Sequence, residues 1–276
     1  MKAEPLDLAD THCHLMLPAF AKDCEEVVER ARATGVTRLL VPALDLLSSH
    51  QAIKLAERYP EVFAAVGVHP HNASTWDPSV ATELRNLALS SHVVAIGEIG
   101  LDFYRNLSTP SQQKTAFQAQ LELAADLGLP VVIHNRQATD DVVVRLLQWS
   151  QNLPANLVGK AGVLHAFSAD PEAARLTTEA GFYLGVAGPI TYPNTNAWQQ
   201  IIAQIPIERM LLETDAPYLT PHPFRNMRNE PAHVKLVAEG FAKVMGVSTS
   251  KAAKATWQNA SNLFGWNHGN DNRYFL

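Results

Sequence analysis

The chain has 276 residues, of which 47% are hydrophobic and 18% charged, and its formal net charge is −5. These values are typical of a soluble globular protein with a large core, and the length suits one α/β barrel domain covering residues 1–276. Clustered Lys and Arg are what bind a long DNA duplex, so the acidic balance excludes such global binding and leaves phosphate recognition to a local basic rim or to metal ions.

The N-terminal stretch MKAEPLDLAD contains no apolar signal core, and no apolar run in the chain approaches the length of a membrane span. The two cysteines, Cys13 and Cys24, are too few for a disulfide framework, which favours a reducing compartment. We therefore expect a cytoplasmic protein that does not associate with membranes and has no obligate protein partner.

Eight short runs, rich in Val, Ile and Leu, alternate with longer amphipathic stretches along the chain. Such runs are typical of parallel strands that are buried on both faces. The predicted strands are LDLADTHCH (6–14), RLLVPAL (38–44), VFAAVGVHP (62–70), VVAIGEIG (93–100), PVVIHNR (130–136), GVLHAF (162–167), FYLGVA (182–187) and MLLETDAP (210–217).

The stretches between the strands have helical periodicity and end signals. Three of the predicted helices are CEEVVERARATG (24–35), TPSQQKTAFQAQLELAADLG (109–128) and DPEAARLTTEAG (170–181). In the second, Thr109 is a predicted N-cap, Pro110 opens the first turn and Gly128 ends the helix. Asp170 is the predicted cap of the third.

Eight strand-then-helix units predict an α/β fold, a (β/α)8 TIM-type barrel with its active site at the C-terminal ends of the strands. The alternative is an open doubly wound sheet, which usually carries a glycine-rich phosphate loop after its first strand. The sequence DTHCHL is not such a loop. The irregular, proline-rich segment PYLTPHPFRNMRNEP (217–231) is predicted to be an active-site loop.

The first predicted strand ends in DTHCH, which places two histidines two residues apart. Alternate residues of a strand face the same side, so His12 and His14 are predicted to project together. Cys13 is predicted to face the other side as a buried thiol. Taken alone, the two histidines are equally compatible with a chance pair on the surface.

Four further residues of metal-binding type close later predicted strands: Glu98, His134, His165 and Asp215. Each of them, taken alone, is compatible with an ordinary role in a salt bridge, as a hydrogen-bonded core histidine or as a turn cap. Burying all of them together costs free energy, because a barrel interior rarely accepts several ionisable groups without a strong partner. One or two divalent metal ions would bind such imidazoles and carboxylates and remove that cost.

Several stretches resemble, in the same order, the signature stretches of one enzyme family. They are DTHCH, GEIGLD, IHNR, HAFS and ETDAPYLTP followed by RNEP. The family is that of the TatD-type metal-dependent deoxyribonucleases, within the amidohydrolase superfamily, and the resemblance covers residues 6–265. Asn135 and Ala169 depart from the family pattern, where Ser and Gly are more usual, but neither is a predicted ligand.

The resemblance implies a site for two divalent metal ions per subunit, with Mg, Mn or Zn as the candidates. The implied ligands of one ion are His12, His14 and Asp215. Those of the other ion are His134 and His165, with Glu98 as the bridge between the two. Such a pair of ions would acidify a shared water, and Asp215 would take its proton. Asp215 and Glu98 are therefore the predicted catalytic residues.

Other polar residues near the predicted strand ends are candidates for contacts outside the metal ligands. Asp10 lies on the same strand face as His12, where it either supports a ligand imidazole or forms an ordinary strand-end salt bridge. The candidates for substrate binding are Arg136, His69, Tyr104 and Asn229.

Four loop residues have two possible roles each. Arg225 and Arg228 either form a local positive rim above the barrel or belong to a solvated polar lid. Phe103 and Tyr192 either stack on bases or pack under loops. The sequence leaves these alternatives open.

These features favour a metal-dependent hydrolase, a phosphodiesterase or deoxyribonuclease that acts as an exonuclease on single-stranded DNA ends. A DNA or oligonucleotide substrate follows from the resemblance alone. One alternative is an amide or ester hydrolase, such as an aminoacyl-tRNA deacylase, that uses the same metal pair. Another is a barrel that binds metal or nucleic acid without catalysis.

Overall fold

The computed structural model describes residues 6–266 of the chain, and its framework is a set of eight parallel strands. Each strand pairs with the next one along the chain, so the order in the sheet is the order in the sequence. The strands are β1 (Leu8–Asp10), β2 (Val36–Pro42), β3 (Val62–Val66), β4 (Val93–Asp102), β5 (Val131–Arg136), β6 (Gly162–Leu164), β7 (Phe182–Val186) and β8 (Met210–Leu212).

Helices follow the strands and form the outer layer. They are α1 (Cys24–Ala33), α2 (Leu46–Arg58), α3 (Pro78–Leu87), α4 (Pro110–Leu127), α5 (Thr139–Ser150), α6 (Pro171–Glu179), α7 (Asn196–Ile202), α8 (Val234–Met245) and α9 (Thr249–Phe264). Short 3-10 helices lie at Pro18–Phe20, Pro70–Thr75, Ala155–Leu157, Gly188–Thr191, Ile207–Arg209 and Pro231–His233. Among residues 6–266, none of the helices combines the length and the apolar character that spanning a bilayer needs.

Backbone hydrogen bonds between the segments that follow β1 and β8 close the sheet into a barrel. The His14 N–H donates to the Ala216 carbonyl (2.7 Å), and the Asp215 N–H donates to the His12 carbonyl (2.8 Å). These bonds run in both directions between the first and last strand segments, as in a parallel ladder. The prediction of a (β/α)8 barrel is confirmed, and the open sheet is wrong.

The eight predicted strands all exist, but some end before the site residues that were predicted to close them. β1 ends at Asp10, ahead of both histidines, and β6 ends one residue before His165. β4 is longer than predicted and runs to Asp102, so Glu98 lies inside this strand rather than at its end. β3 likewise ends at Val66, before the segment that carries the predicted substrate-binding histidine.

The helix-end signals of α4 are confirmed. Thr109 accepts a hydrogen bond from the Gln112 N–H, and the Gln112 side chain accepts one from the Thr109 N–H, which forms a capping box. Pro110 occupies the first turn, and Gly128 ends the helix at a φ of 65°, a left-handed conformation that glycine adopts without strain. Asp170 caps α6, as predicted.

Two apolar layers lie on the two faces of the barrel strands. The outer layer packs the strands against the helices, and the inner layer fills the barrel with side chains such as Leu40 and Val132. α9 covers the amino-terminal end of the barrel and adds Trp257 to the inner layer. Asn259 of α9 donates to the carbonyl of Met210, the first residue of β8 (2.9 Å). The carboxyl-terminal end is left for polar residues.

Candidate metal centre

Glu98 lies at the centre of a cluster of polar side chains at the carboxyl-terminal end of the barrel. It is 2% exposed, and its two carboxylate oxygens face different histidines. Oε2 lies 3.3 Å from His12 Nε2 and 3.6 Å from His14 Nε2. Oε1 lies 2.8 Å from His134 Nδ1 and 3.0 Å from His165 Nε2. The carboxylate therefore stands between two pairs of imidazoles.

Asp215 completes the cluster on the side of the first pair. The Nε2 atoms of His12 and His14 are 3.2 Å apart, as expected for alternate residues on one face. Asp215 Oδ1 lies 3.8 Å from the first of these atoms and 3.4 Å from the second. We call His12, His14, Asp215 and Oε2 of Glu98 the first donor group.

The second pair of imidazoles comes from neighbouring strands. His134 lies in β5 and His165 follows β6, and their facing nitrogens, Nδ1 and Nε2, are 3.2 Å apart. Oε1 of Glu98 contacts both nitrogens. We call His134, His165 and Oε1 of Glu98 the second donor group. The structure thus brings the six sequence-predicted ligands together around Glu98, and the donor atom of His165 also converges with those of His12 and Asp215.

The donor atoms converge closely enough to hold divalent metal ions. The ligand atoms of His12, His14 and Glu98 lie within 4.8 Å of one another. Imidazole and carboxylate are ligand types of Zn²⁺ and Mn²⁺, and carboxylate also suits Mg²⁺. Buried imidazole nitrogens that face one another across a carboxylate are the arrangement that a cation would stabilise. The residues present therefore fit the predicted ions.

Opposing effects set the protonation of the two central carboxyl groups. Burial alone would raise the pKa of Glu98, but the neighbouring imidazoles, that of His165 foremost, hold this pKa well below its usual range. Burial also opposes ionisation of Asp215, yet a hydrogen bond to His14 and nearby imidazoles lower its pKa. Both groups are ionised at neutral pH, as carboxylate ligands of a metal must be.

His69, predicted to bind substrate, lies beside Glu98, with its Nε2 3.5 Å from Oε1. Its Nδ1 accepts a hydrogen bond from the His71 N–H (3.1 Å), so in the neutral ring the proton sits on Nε2. Burial lowers the pKa of His69 to about 4, which keeps the ring neutral at physiological pH. A protonated Nε2 cannot bind a metal, and His69 therefore offers the site a hydrogen-bond donor.

Asp10 is fully buried beneath the first donor group. Its Oδ1 accepts hydrogen bonds from the backbone N–H groups of Thr214 (2.8 Å) and His12 (3.3 Å), and its Oδ2 lies 2.6 Å from Thr214 Oγ1. Asp10 thus contacts the backbone of His12 and both the backbone and side chain of Thr214, and not the imidazole of a predicted ligand. Within residues 6–266, no ion pair of Asp10 is found either.

Arg136 and Tyr104 lie on the surface where β5 and β4 end. The Arg136 guanidinium stacks over the Tyr104 ring at 4.1 Å from its centroid, and both side chains are exposed. Phe103, next to Tyr104, is partly buried against the core, and Lys114 approaches its ring. Of the two alternatives for Phe103, packing under a loop is the one that these contacts support.

Asn229 is fully buried, and its amide is used inside the protein. Nδ2 donates to the carbonyls of Thr214 (2.8 Å) and Tyr218 (2.6 Å), and Oδ1 accepts from the Glu230 N–H (3.0 Å). The prediction that Asn229 contacts substrate is wrong, because both ends of its amide already have protein partners. Asn229 instead fixes the segment after β8 in the conformation that presents Asp215.

The two loop arginines have different roles. Arg228 pairs with Asp23 through both terminal nitrogens (2.7 and 2.6 Å), so it ties the loop to the start of α1. Arg225 stacks over the Tyr192 ring at 4.1 Å from its centroid, on the exposed surface. Arg225 is therefore placed to contribute to a positive rim, and Arg228 is placed to brace the loop.

Sequence reasoning missed four residues near the cluster. Asp102 and Glu213 lie behind the second donor group, His71 contacts Asp102, and Tyr218 is 56% exposed with its ring 6.3 Å from that of His14. Asp102 is an even number of residues from Glu98, and Glu213 is an even number of residues from Asp215. Since alternate residues of a strand face the same side, this spacing was a signal that could have identified both. The buried thiol predicted at Cys13 is confirmed.

Comparisons with known proteins agree with this site. A family model described as TatD related DNase matches residues 9–265. YabD of Bacillus subtilis, called an uncharacterized metal-dependent hydrolase, is 40% identical over 257 residues, which are 93% of this chain and 98% of YabD. The 3'-5' ssDNA/RNA exonuclease TatD of Salmonella typhimurium is 38% identical over 260 residues, 92% of this chain and 98% of that protein.

Among solved structures, that of YJJV, a TatD homologue from Escherichia coli K12, superposes with a TM-score of 0.87. It is 30% identical in sequence, and the match covers 94% of this chain and 98% of YJJV. Both the sequence and the barrel thus match this family over nearly their whole lengths. The chain belongs to the TatD-related DNase family and is a metal-dependent hydrolase.

Proposed function

We propose that the protein is a two-metal phosphodiesterase that removes nucleotides from the ends of single-stranded DNA or RNA. The observation that carries the proposal is the division of the Glu98 carboxylate between two pairs of histidines. Each donor group would hold one divalent ion, Mg²⁺, Mn²⁺ or Zn²⁺, and Glu98 would contribute one carboxylate oxygen to each. When bound, such a pair acidifies a water and neutralises charge on a phosphodiester.

Two side chains of the site act on the reacting groups. Asp215 has 13% of its side chain exposed, so its carboxylate is accessible from the cleft and accepts the proton of the attacking water. The neutral ring of His69 donates a hydrogen bond from its Nε2 to a non-bridging phosphate oxygen. The water oxygen bonds to phosphorus and the bond to the leaving sugar oxygen breaks. The proton that Asp215 accepted then passes to this oxygen through solvent, which leaves a hydroxyl end.

A nucleic-acid substrate is supported by the relatives, several of which are named 3'-5' ssDNA/RNA exonucleases. The mouth of the barrel adds a physical reason. Tyr218 presents an exposed ring beside His14, and the rings of Tyr104 and Tyr192 stack under the guanidinium groups of Arg136 and Arg225. Bases can stack on such faces only when they are not already paired, which favours a single strand. By the same comparison, cleavage proceeds from the 3′ end.

The relatives do not favour the amide or ester hydrolase or the non-catalytic barrel. For the cellular setting, we propose a cytoplasmic enzyme with no obligate protein partner. Both cysteines, Cys13 and Cys24, are free thiols, which suits a reducing compartment.

The test is cleavage of a 5′-labelled single-stranded oligonucleotide by metal-stripped protein to which Mg²⁺, Mn²⁺ or Zn²⁺ is added back. We expect a ladder of shortened labelled fragments that needs metal, with little cleavage of the same sequence as a blunt duplex. The double variant Glu98→Ala, His134→Ala is the matched inactive control. An intact oligonucleotide, with protein that demonstrably binds metal, would contradict the proposal and direct attention to esters and amides.

A further inference from the structure

The two donor groups differ in what lies behind their imidazoles. In the second group, His134 Nε2 lies 3.2 Å from Oδ2 of Asp102, and His165 Nδ1 lies 3.5 Å from Oε1 of Glu213. Each histidine of this group therefore has one nitrogen facing Glu98 and the other facing a buried carboxylate.

The first donor group has no such support. His14 Nδ1 lies 3.2 Å from the carbonyl oxygen of Pro42, which is a neutral acceptor. His12 Nδ1 and His165 Nδ1 both lack a hydrogen-bond partner among residues 6–266, but His165 Nδ1 lies 3.5 Å from a carboxylate oxygen of Glu213. The first group instead has one more ligand, because Asp215 joins it. The second group thus has fewer ligands but a carboxylate behind each imidazole.

Asp102 is held in one orientation by its own contacts. Its Oδ1 accepts hydrogen bonds from the N–H groups of Tyr104 (3.0 Å) and Arg105 (2.7 Å), and its Oδ2 lies 2.8 Å from His71 Nε2. The carboxylate cannot turn away from His134 without breaking these bonds. The orientation of the His134 ring is therefore set from behind.

Glu213 is held less firmly behind His165, because its Oε2 has no hydrogen-bond partner among residues 6–266. Its Oε1 accepts a hydrogen bond from the Ala166 N–H (2.6 Å), directly after His165 in the chain. Ala166 has a φ of 42°, an unfavourable left-handed conformation for alanine that this bond stabilises. Gly185 leaves the space for Glu213, because a Cβ at that position would collide with Oε2.

We propose that Asp102 and Glu213 are positioning residues that enable the three-residue second donor group to retain a metal ion. The inference rests on the proposed two-metal function. It states that these two carboxylates are needed for a metal ion to stay bound at the second donor group. A carboxylate behind a ligating histidine fixes its tautomer and ring orientation and makes it a better donor, which is typically worth about 10- to 100-fold in metal affinity. Without either carboxylate, the protein retains one ion where the native protein retains two.

The experiment is calorimetric titration of metal-stripped protein with Mn²⁺, comparing wild type with Asp102→Asn and Glu213→Gln. Both variants preserve size and remove the charge. We expect two binding steps in the wild type. In each variant we expect one step to be unchanged and the other weakened by about 10- to 100-fold. His165→Ala, which removes a ligand of the second group, should retain only the unchanged step and so identify it.

Two further variants separate positioning from general damage. Gly185→Ala displaces Glu213 without changing any charge, and it should weaken the same step as Glu213→Gln. Glu61→Gln is the matched control, because Glu61 is a buried carboxylate paired with Arg32 at the other end of the barrel, and it should change neither step.

The outcomes distinguish this inference from the proposed function. The role of Asp102 and Glu213 would be overturned if both variants left the two binding steps unchanged, or if each variant weakened the two steps equally. Either result would leave the two-metal site standing. Fewer than two steps in the wild type would contradict the two-metal function itself, and with it the inference.

Discussion

The two ends of the barrel use the same strands for different purposes. In β5, Val132 and His134 point to the same side, two residues apart. Val132 packs in the inner apolar layer, and His134 faces Glu98. The same step leads from Val163 to His165. In each of these strands, the residue that packs inside the barrel and the residue that faces the site are therefore only two positions apart.

The amino-terminal end shows the opposite character. There α9 supplies Trp257 and Phe264, and Trp266 follows, against Phe63 of the barrel interior. Aromatic side chains contribute large buried areas without ionisable groups, so this apolar layer stabilises the fold. Substitutions at the carboxyl-terminal end are therefore expected to reduce activity, and substitutions at the amino-terminal end are expected to reduce stability.

The largest effect is expected for Glu98→Gln at the carboxyl-terminal end. The change preserves the shape but removes the charge that both donor groups share. We expect single-strand cleavage to fall at least about 1000-fold, equivalent to about 4 kcal/mol of transition-state stabilisation, while circular dichroism shows an intact barrel. Retention of more than a tenth of the activity would contradict the bridging role.

Trp257→Ala should give the next largest effect, on stability alone. Truncating a buried tryptophan typically removes about 3–5 kcal/mol from the free energy of unfolding. Urea denaturation should measure this loss, while kcat and the Mn²⁺ affinity of the folded protein stay at wild-type values. A change in metal affinity would show that the two ends are coupled and would break the separation.

Tyr218→Ala tests the rim of the carboxyl-terminal end. If an unpaired base stacks on this exposed ring, its removal costs about 1–3 kcal/mol, so KM for a single strand should rise about 5- to 150-fold. Tyr218→Phe is the matched control and should behave as wild type, because it retains the ring. An unchanged KM in the alanine variant would remove Tyr218 from the substrate path, and urea unfolding should be unaffected in both variants.

The smallest effect is expected at the ion pair that ties the loop of residues 217–231 to α1. A hydrogen bond from Arg228 lowers the pKa of Asp23. The pair therefore stabilises the fold at pH values above the ordinary pKa of aspartate. This contribution is lost as the pH falls through the lowered pKa of Asp23 in the folded protein. Asp23→Asn should reduce Tm slightly at pH 7, and this difference from wild type should shrink as the pH is lowered below the ordinary pKa of aspartate. A difference that stays the same down to acidic pH would contradict the ionic origin.

Much of the fold could be predicted because its signals are local. The capping box of Thr109 and Gln112 and the left-handed Gly128 define α4 from the sequence alone. Strand ends were less predictable, because they depend on pairing between distant segments. The register of β4 against β5 shifts between Ile96 and Ile99, and nothing local to GEIG indicates this shift.

The clustering of the six predicted ligands could be anticipated because several ionisable side chains are rarely buried together at the strand ends of one barrel unless a metal binds them. The residues around them were harder to predict. Asn229 is polar and lies in a loop, yet it is buried because the backbone carbonyls of Thr214 and Tyr218 need its amide. Asp102 and Glu213 were missed because their role depends on which nitrogen of a histidine faces inward, and only the three-dimensional arrangement decides that.

The most direct test of the two-metal centre is anomalous diffraction from crystals of the protein grown with Mn²⁺. We expect two peaks on opposite sides of the Glu98 carboxylate, one among His12, His14 and Asp215 and the other between His134 and His165. A single peak at saturating Mn²⁺, or a peak bound by Nε2 of His69, would contradict the two-metal centre.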